Sequence, residues 1–156
     1  MAENNNTFLR MRTWYGMDAV IEIHSRSLHR AGFGKMLIPH PPAVNWLLRF
    51  GLPDTPYYKL STIHEFGHFQ TLPIVIFYTV IGAWWMFVGH KISIWEIVVF
   101  LISAHAMAEM LAEAYVRFHT GALYSEYYKS ISVLPRIIFW LTTAAISAAG
   151  WLIALR

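Results

Sequence analysis

Three long apolar stretches divide the chain: Leu72 to Val88, Ile92 to Ala108 and Ile137 to Leu155. Each approaches the ~20 residues that an α-helix needs to cross a hydrocarbon layer of about 30 Å. Gly82, Trp84, Trp85, Trp95, Trp140 and Trp151 lie near their ends or faces, a placement that membrane segments allow and that anchors helices at the interface. The short connection "GHKIS" at 89–93 makes the first two stretches an antiparallel hairpin. Polar flanks extend both. Asp54 or Thr55 can cap a helix that begins near Pro56, bends at Pro73 and ends before the connection. The second helix runs on through "SAHAMAEMLAEAYVRFH" to Gly121, a C-cap residue by type. Helices are therefore predicted at about 58–89, 92–120 and 134–155, with an aromatic loop from Gly121 to Pro135.

Upstream, residues 14–31 mix Trp14, Met17, Val20, Ile21 and Leu28 with Asp18, Glu22, Arg26 and Arg30, which predicts an amphipathic helix lying on the membrane surface. Pro39, Pro41, Pro42, Pro53 and Pro56 then break the chain into turns around one short helix, Ala43 to Phe50. The expected fold class is an all-α integral membrane protein. Residues 1–57 form its interfacial helical region and 58–156 its three-helix transmembrane domain.

Composition supports the membrane reading: of 156 residues, 56% are hydrophobic and 13% charged, too apolar for an ordinary soluble domain. The N-terminus lacks an apolar signal region, so the first spanning helix is expected to direct insertion. Arg10, Arg12, Arg26, Arg30, Lys35, Arg49 and Lys59 precede that helix, and Arg117, Lys129 and Arg136 lie between the second and third. Only Lys91 and Arg156 fall on the other side, which places the N-terminus in the cytoplasm and the C-terminus across the membrane. No run of cations suggests nucleic acid. A three-span chain of this size buries little surface alone, so a homo-oligomer or a subunit of a membrane complex is expected.

With no cysteine in the chain, thiolate zinc sites, iron–sulfur clusters and disulfides are excluded, and candidate chemistry rests on histidines and carboxylates. Residues 64–68 read His-Glu-Phe-Gly-His. Side chains four apart share a helical face, so His64 and His68 can each offer a ring nitrogen to one metal while Glu65 points toward the neighbouring water position. A third protein ligand is required. His105, Glu109 and Glu113 form a stripe on the second helix, and ionisable stripes in or near a span mark functional sites. At 1.5 Å per residue the histidine pair lies roughly 33 to 39 Å below the hairpin turn, with Glu113 about level, Glu109 about one turn deeper and His105 deeper still. The two sets are expected to meet at the cytoplasmic edge of the bilayer. His105 is read as an interior hydrogen-bonded residue or a ligand to a second metal, and Glu96 as facing water or snorkelling to it.

The two motifs together resemble membrane-embedded gluzincin-type zinc metallopeptidases, similar to the proteases that process prenylated proteins and to the bacterial heat-shock membrane protease. In those families the histidine motif is joined by a downstream Glu-x-x-Ala-Asp segment; here it reads Glu109-Met-Leu-Ala-Glu113. The resemblance covers about residues 60–120. It implies His64, His68 and Glu109 as zinc ligands, with Glu113 the alternative third ligand by helix depth, and Glu65 as general base in hydrolysis of a peptide or membrane-protein substrate. Oxyanion donors could come from Tyr115, Arg117, His119 or Tyr124, Tyr127 and Tyr128. Two other classes stay open: a di-iron carboxylate oxidoreductase, since Glu65 and His68 are also a Glu-x-x-His pair, and an accessory subunit with a structural metal or none.

Overall fold

The long helices form where the apolar stretches predict them. A computed structural model describes residues 7–24, 31–32, 35–39, 54–89, 92–129 and 133–156. Helix α1 spans Asp54–Gly89, α2 Ile94–Thr120 and α4 Val133–Ala154. Both ends of α2 carry local stop signals. At its start Ser93 accepts from the Glu96 backbone N–H, and the Glu96 carboxylate turns back to accept from the Ser93 N–H at 2.7 Å, a reciprocal capping box. At its end Gly121 takes φ 48° and donates to the Arg117 carbonyl at 3.1 Å. The segment expected as a loop between Gly121 and Pro135 contains a two-turn helix, α3, at Ala122–Lys129.

The N-terminal region departs from the sequence expectation. Of the span expected as an amphipathic helix, the described residues 14–24 and 31 form a turn and strands, and 25–30 lie outside the described residues. A four-stranded sheet holds this region instead: β1 (Thr7–Arg12), β2 (Asp18–His24), β3 (Ala31–Gly32) and β4 (Lys35–Pro39), in the order β1-β2-β4-β3. β1 and β2 are antiparallel, β2 and β4 parallel, β3 and β4 antiparallel. The physical cause is an alternation of period two: Leu9 and Met11 pack inward with Ala19 and Ile21 against Phe66 and Phe69 of α1, while Arg10 and Arg12 are exposed. The connecting turn is closed by Thr13, whose hydroxyl both donates to the Met17 carbonyl and accepts from its N–H, with Gly16 at φ 89°. The helix expected at Ala43 to Phe50 lies outside the described residues.

Three close approaches join the long helices. A Cβ added to Gly67 would sit 2.9 Å from the Ala112 carbonyl oxygen, so α1 and α2 touch backbone to backbone there. Gly82 lies beneath the Phe100 ring and Gly150 of α4 against Ser103. Small residues at such contacts let apolar helices pack closely where no hydrophobic force drives them together. Near the middle of the bundle Tyr78 donates to the Ser147 carbonyl at 2.8 Å and contacts the Ser103 hydroxyl, tying α1, α2 and α4 at one polar point. Thr71, Thr79, Thr142, Thr143 and Ser147 return their hydroxyls to carbonyls of their own helices. Tyr78→Phe removes the three-helix tie and is expected to lower stability in detergent by about 0.5–2 kcal/mol, the range of buried interhelical hydrogen bonds. Thermal unfolding of the purified variant against the parent measures it.

All three long helices are long and apolar enough to cross a membrane, and within their most apolar windows only 17 to 33% of residues are buried. Their apolar side chains therefore point mainly outward, the reverse of core helices in a water-soluble bundle. Ile74, Phe77, Trp84 and Val88 on α1 and Leu134, Ile138, Leu141 and Leu152 on α4 are among those exposed.

Candidate metal centre

The Gly67 contact sets the chemistry. Because α1 and α2 meet at that glycine, the residues flanking it, His64 and His68, are pressed toward the carboxylates of α2. His64 Nε2 lies 3.3 Å from Glu109 Oε2 and His68 Nε2 3.4 Å from Glu109 Oε1. The two rings stand edge to face, 4.8 Å between centroids. His64, His68 and Glu109 thus form a group able to hold a metal ion, with one donor atom from each lying within 4.8 Å of the others. His64 is buried, and His68 and Glu109 are partly so.

Glu113, one turn along α2, takes a different position. It is fully buried, and its Oε2 lies 3.0 Å from His64 Nδ1, on the far side of the ring from Glu109. Tyr124 of α3 donates its hydroxyl to the other Glu113 oxygen at 3.2 Å. An ionised Glu113 only accepts; with it Nδ1 of a neutral ring carries the hydrogen and Nε2 keeps its lone pair. That lone pair then faces a Glu109 oxygen, acceptor against acceptor. A shared cation relieves the opposition, either a second ring proton or a metal ion.

The donor types suit a divalent transition metal such as zinc or iron. Two donors about 2.1 Å from one tetrahedral zinc lie about 3.4 Å apart; His64 and His68 keep 3.3 and 3.4 Å from Glu109, each to a different oxygen, and the three donors lie within 4.8 Å of one another. Two imidazoles and a carboxylate are also a recognised ligand set for zinc that leaves one position open. The Nδ1–H to carboxylate bond is the outer contact that orients a metal-binding histidine. Helix depth alone placed Glu113 level with the histidines; the structure gives the facing position to Glu109 and the outer position to Glu113.

Glu65 is half-buried, and its place on the helix falls between the side that faces Glu109, with His64 and His68, and the sheet-facing side, Phe66 and Phe69. His105 is not an interior residue: its side chain is 76% exposed, 3.9 Å from Glu109 at the rim of the group. Of the tyrosines and cations considered as oxyanion donors, Tyr115 turns toward the sheet-facing cluster, packing edge to face on Phe66 and stacking on His119. His119 Nδ1 is 3.0 Å from the Tyr115 carbonyl, Arg117 is exposed, and Tyr124 is committed to Glu113. Tyr127 and Tyr128 have no described side chains. Sequence reasoning missed the Tyr124 role, and also Ser61, one turn before Glu65, which is buried with its hydroxyl unsatisfied. Comparison with protein families, with curated proteins and with solved structures finds no match to this chain.

Proposed function

We propose that the chain is a membrane-embedded zinc metallopeptidase that cuts a peptide bond at the cytoplasmic side of a bilayer. The observation that carries this reading is Glu109 set against both motif histidines while Glu113 holds the other nitrogen of His64. His64, His68 and Glu109 hold the metal. When bound, zinc polarises a carbonyl and makes a coordinated water a nucleophile near neutral pH. Glu113 and Tyr124 fix the tautomer and plane of His64, and Glu65 accepts the proton of the attacking water and later returns it to the leaving amine. The outward apolar side chains of α1, α2 and α4 supply the lipid-facing surface.

Metal analysis of the purified protein tests the reading: one zinc per chain is expected, removed by chelator and absent from His68→Ala. Two irons per chain would establish the di-iron alternative, and no metal in the parent the accessory role. Tyr124→Phe is expected to keep the fold and weaken zinc binding by about 10- to 100-fold, the usual effect of disturbing contacts behind a ligand. A competition titration with a zinc chelator reads the change.

A further inference from the structure

The β1–β2 turn does something no surface loop requires. Proline has no N–H, so Pro73 inside α1 leaves the carbonyl four residues earlier, that of Phe69, without its helical donor. Tyr15 supplies one from 54 positions away, its hydroxyl donating to the Phe69 oxygen at 2.6 Å. Trp14 closes the next position: its indole N–H donates to the Gln70 carbonyl at 2.9 Å and its backbone N–H to the Gln70 side chain at 3.2 Å. The one carbonyl that Pro73 leaves without its helical donor is thus met by the turn.

The height of this contact matters. Gly67 faces Ala112, and Ser103 faces Gly150, so antiparallel counting along α2 and α4 puts Gly67 level with about Ile138 to Leu141. The exposed apolar surface of α4 starts at Val133, roughly 10 Å further toward the cytoplasmic end. Phe69 and Gln70 thus lie inside the apolar belt. Trp14, 72% exposed, sits over Gln70, and one and two turns on along the same face of α1 are Ile74 and Phe77, both exposed.

Resting on the membrane reading above, we propose that the β1–β2 turn is itself immersed in lipid, Trp14 continuing the lipid-facing stripe of α1 and Tyr15 locking the turn into the gap left by Pro73. The occupant of the Trp14 face is the acyl layer of the bilayer. Backbone exposed at that depth must find partners within the protein. Within the turn, the N–H groups of Thr13, Gly16 and Met17 and the carbonyls of Thr13 and Met17 are bonded locally, and the Trp14 N–H is bonded to Gln70.

The absence of cysteine makes site-directed spin labelling direct. Single labels at Trp14→Cys and, as reference, Phe77→Cys are measured in phosphatidylcholine–phosphatidylglycerol vesicles for collision with oxygen and with a water-soluble nickel chelate. Both labels are expected to favour oxygen, with Asp18→Cys favouring nickel. A label at 14 that favours nickel while 77 favours oxygen overturns the immersed turn and leaves the membrane reading standing; nickel preference at both overturns both. In unlabelled protein Trp14→Phe is expected to remove part of the emission quenched by brominated lipid, and an unchanged quenched share counts against immersion. Tyr15→Phe is expected to increase motion of the label at 14, and equal mobility overturns the lock.

Discussion

Glu65→Gln is expected to lower peptide hydrolysis by about a hundred- to ten-thousand-fold, the usual contribution of a positioned general base, while zinc content stays at one per chain. Glutamine keeps the size of the side chain and its place between the metal face and the sheet face but cannot accept the proton. The two measurements must be made on one preparation, hydrolysis of a fluorogenic peptide pool in lipid vesicles and metal by elemental analysis. Loss of zinc together with activity would make Glu65 a ligand, as a di-iron centre requires, and retention of both would remove it from the chemistry.

Gly67→Ala is expected to disrupt the centre without touching a ligand. In an isolated helix the change stabilises by roughly 0.5–1 kcal/mol. Here the new methyl would meet the Ala112 carbonyl oxygen at 2.9 Å, its Cα at 3.1 Å and the Tyr115 Cβ at 3.2 Å, two of them backbone atoms that cannot rotate away. Overpacking of this kind costs about 1–3 kcal/mol, so the clash outweighs the propensity gain. Relief requires α1 and α2 to separate, which draws both histidines from Glu109. Zinc affinity is therefore expected to fall by at least about 10-fold, with a lower unfolding temperature in the zinc-free protein. A Gly67→Ala variant that binds zinc as the parent does would show that the helices are not held at this spacing.

The long helices were legible because length and apolar content settle them without tertiary information. The sheet was not. In "DAVIEIH" the apolar residues Val20, Ile21 and Ile23 satisfy a helical face about as well as a strand, and seven residues are too few to separate the two periods. The alternation in "FLRMR" before the turn, and Gly16 within it, were the signals that favoured a hairpin. The capping box at Ser93 and Glu96 was likewise present in the sequence, one helical turn apart.

At the site, the spacing of His64 and His68 and of Glu109 and Glu113 named the right side chains but not their division of labour. An imidazole has two nitrogens and can face two carboxylates, and only the register set by Gly67 decides that Glu109 spans the pair while Glu113 takes Nδ1. The free carbonyl at Phe69 could be deduced from Pro73. Its donor could not, because nothing local to either segment links position 15 to position 69.

The division of the centre between two helices orders its assembly in time. A ribosome delivers α1, with both imidazoles, before it has made the carboxylate that completes the set on α2. A nascent chain halted between the two therefore lacks the third donor of the group, which is complete only once the second helix has been made and docked.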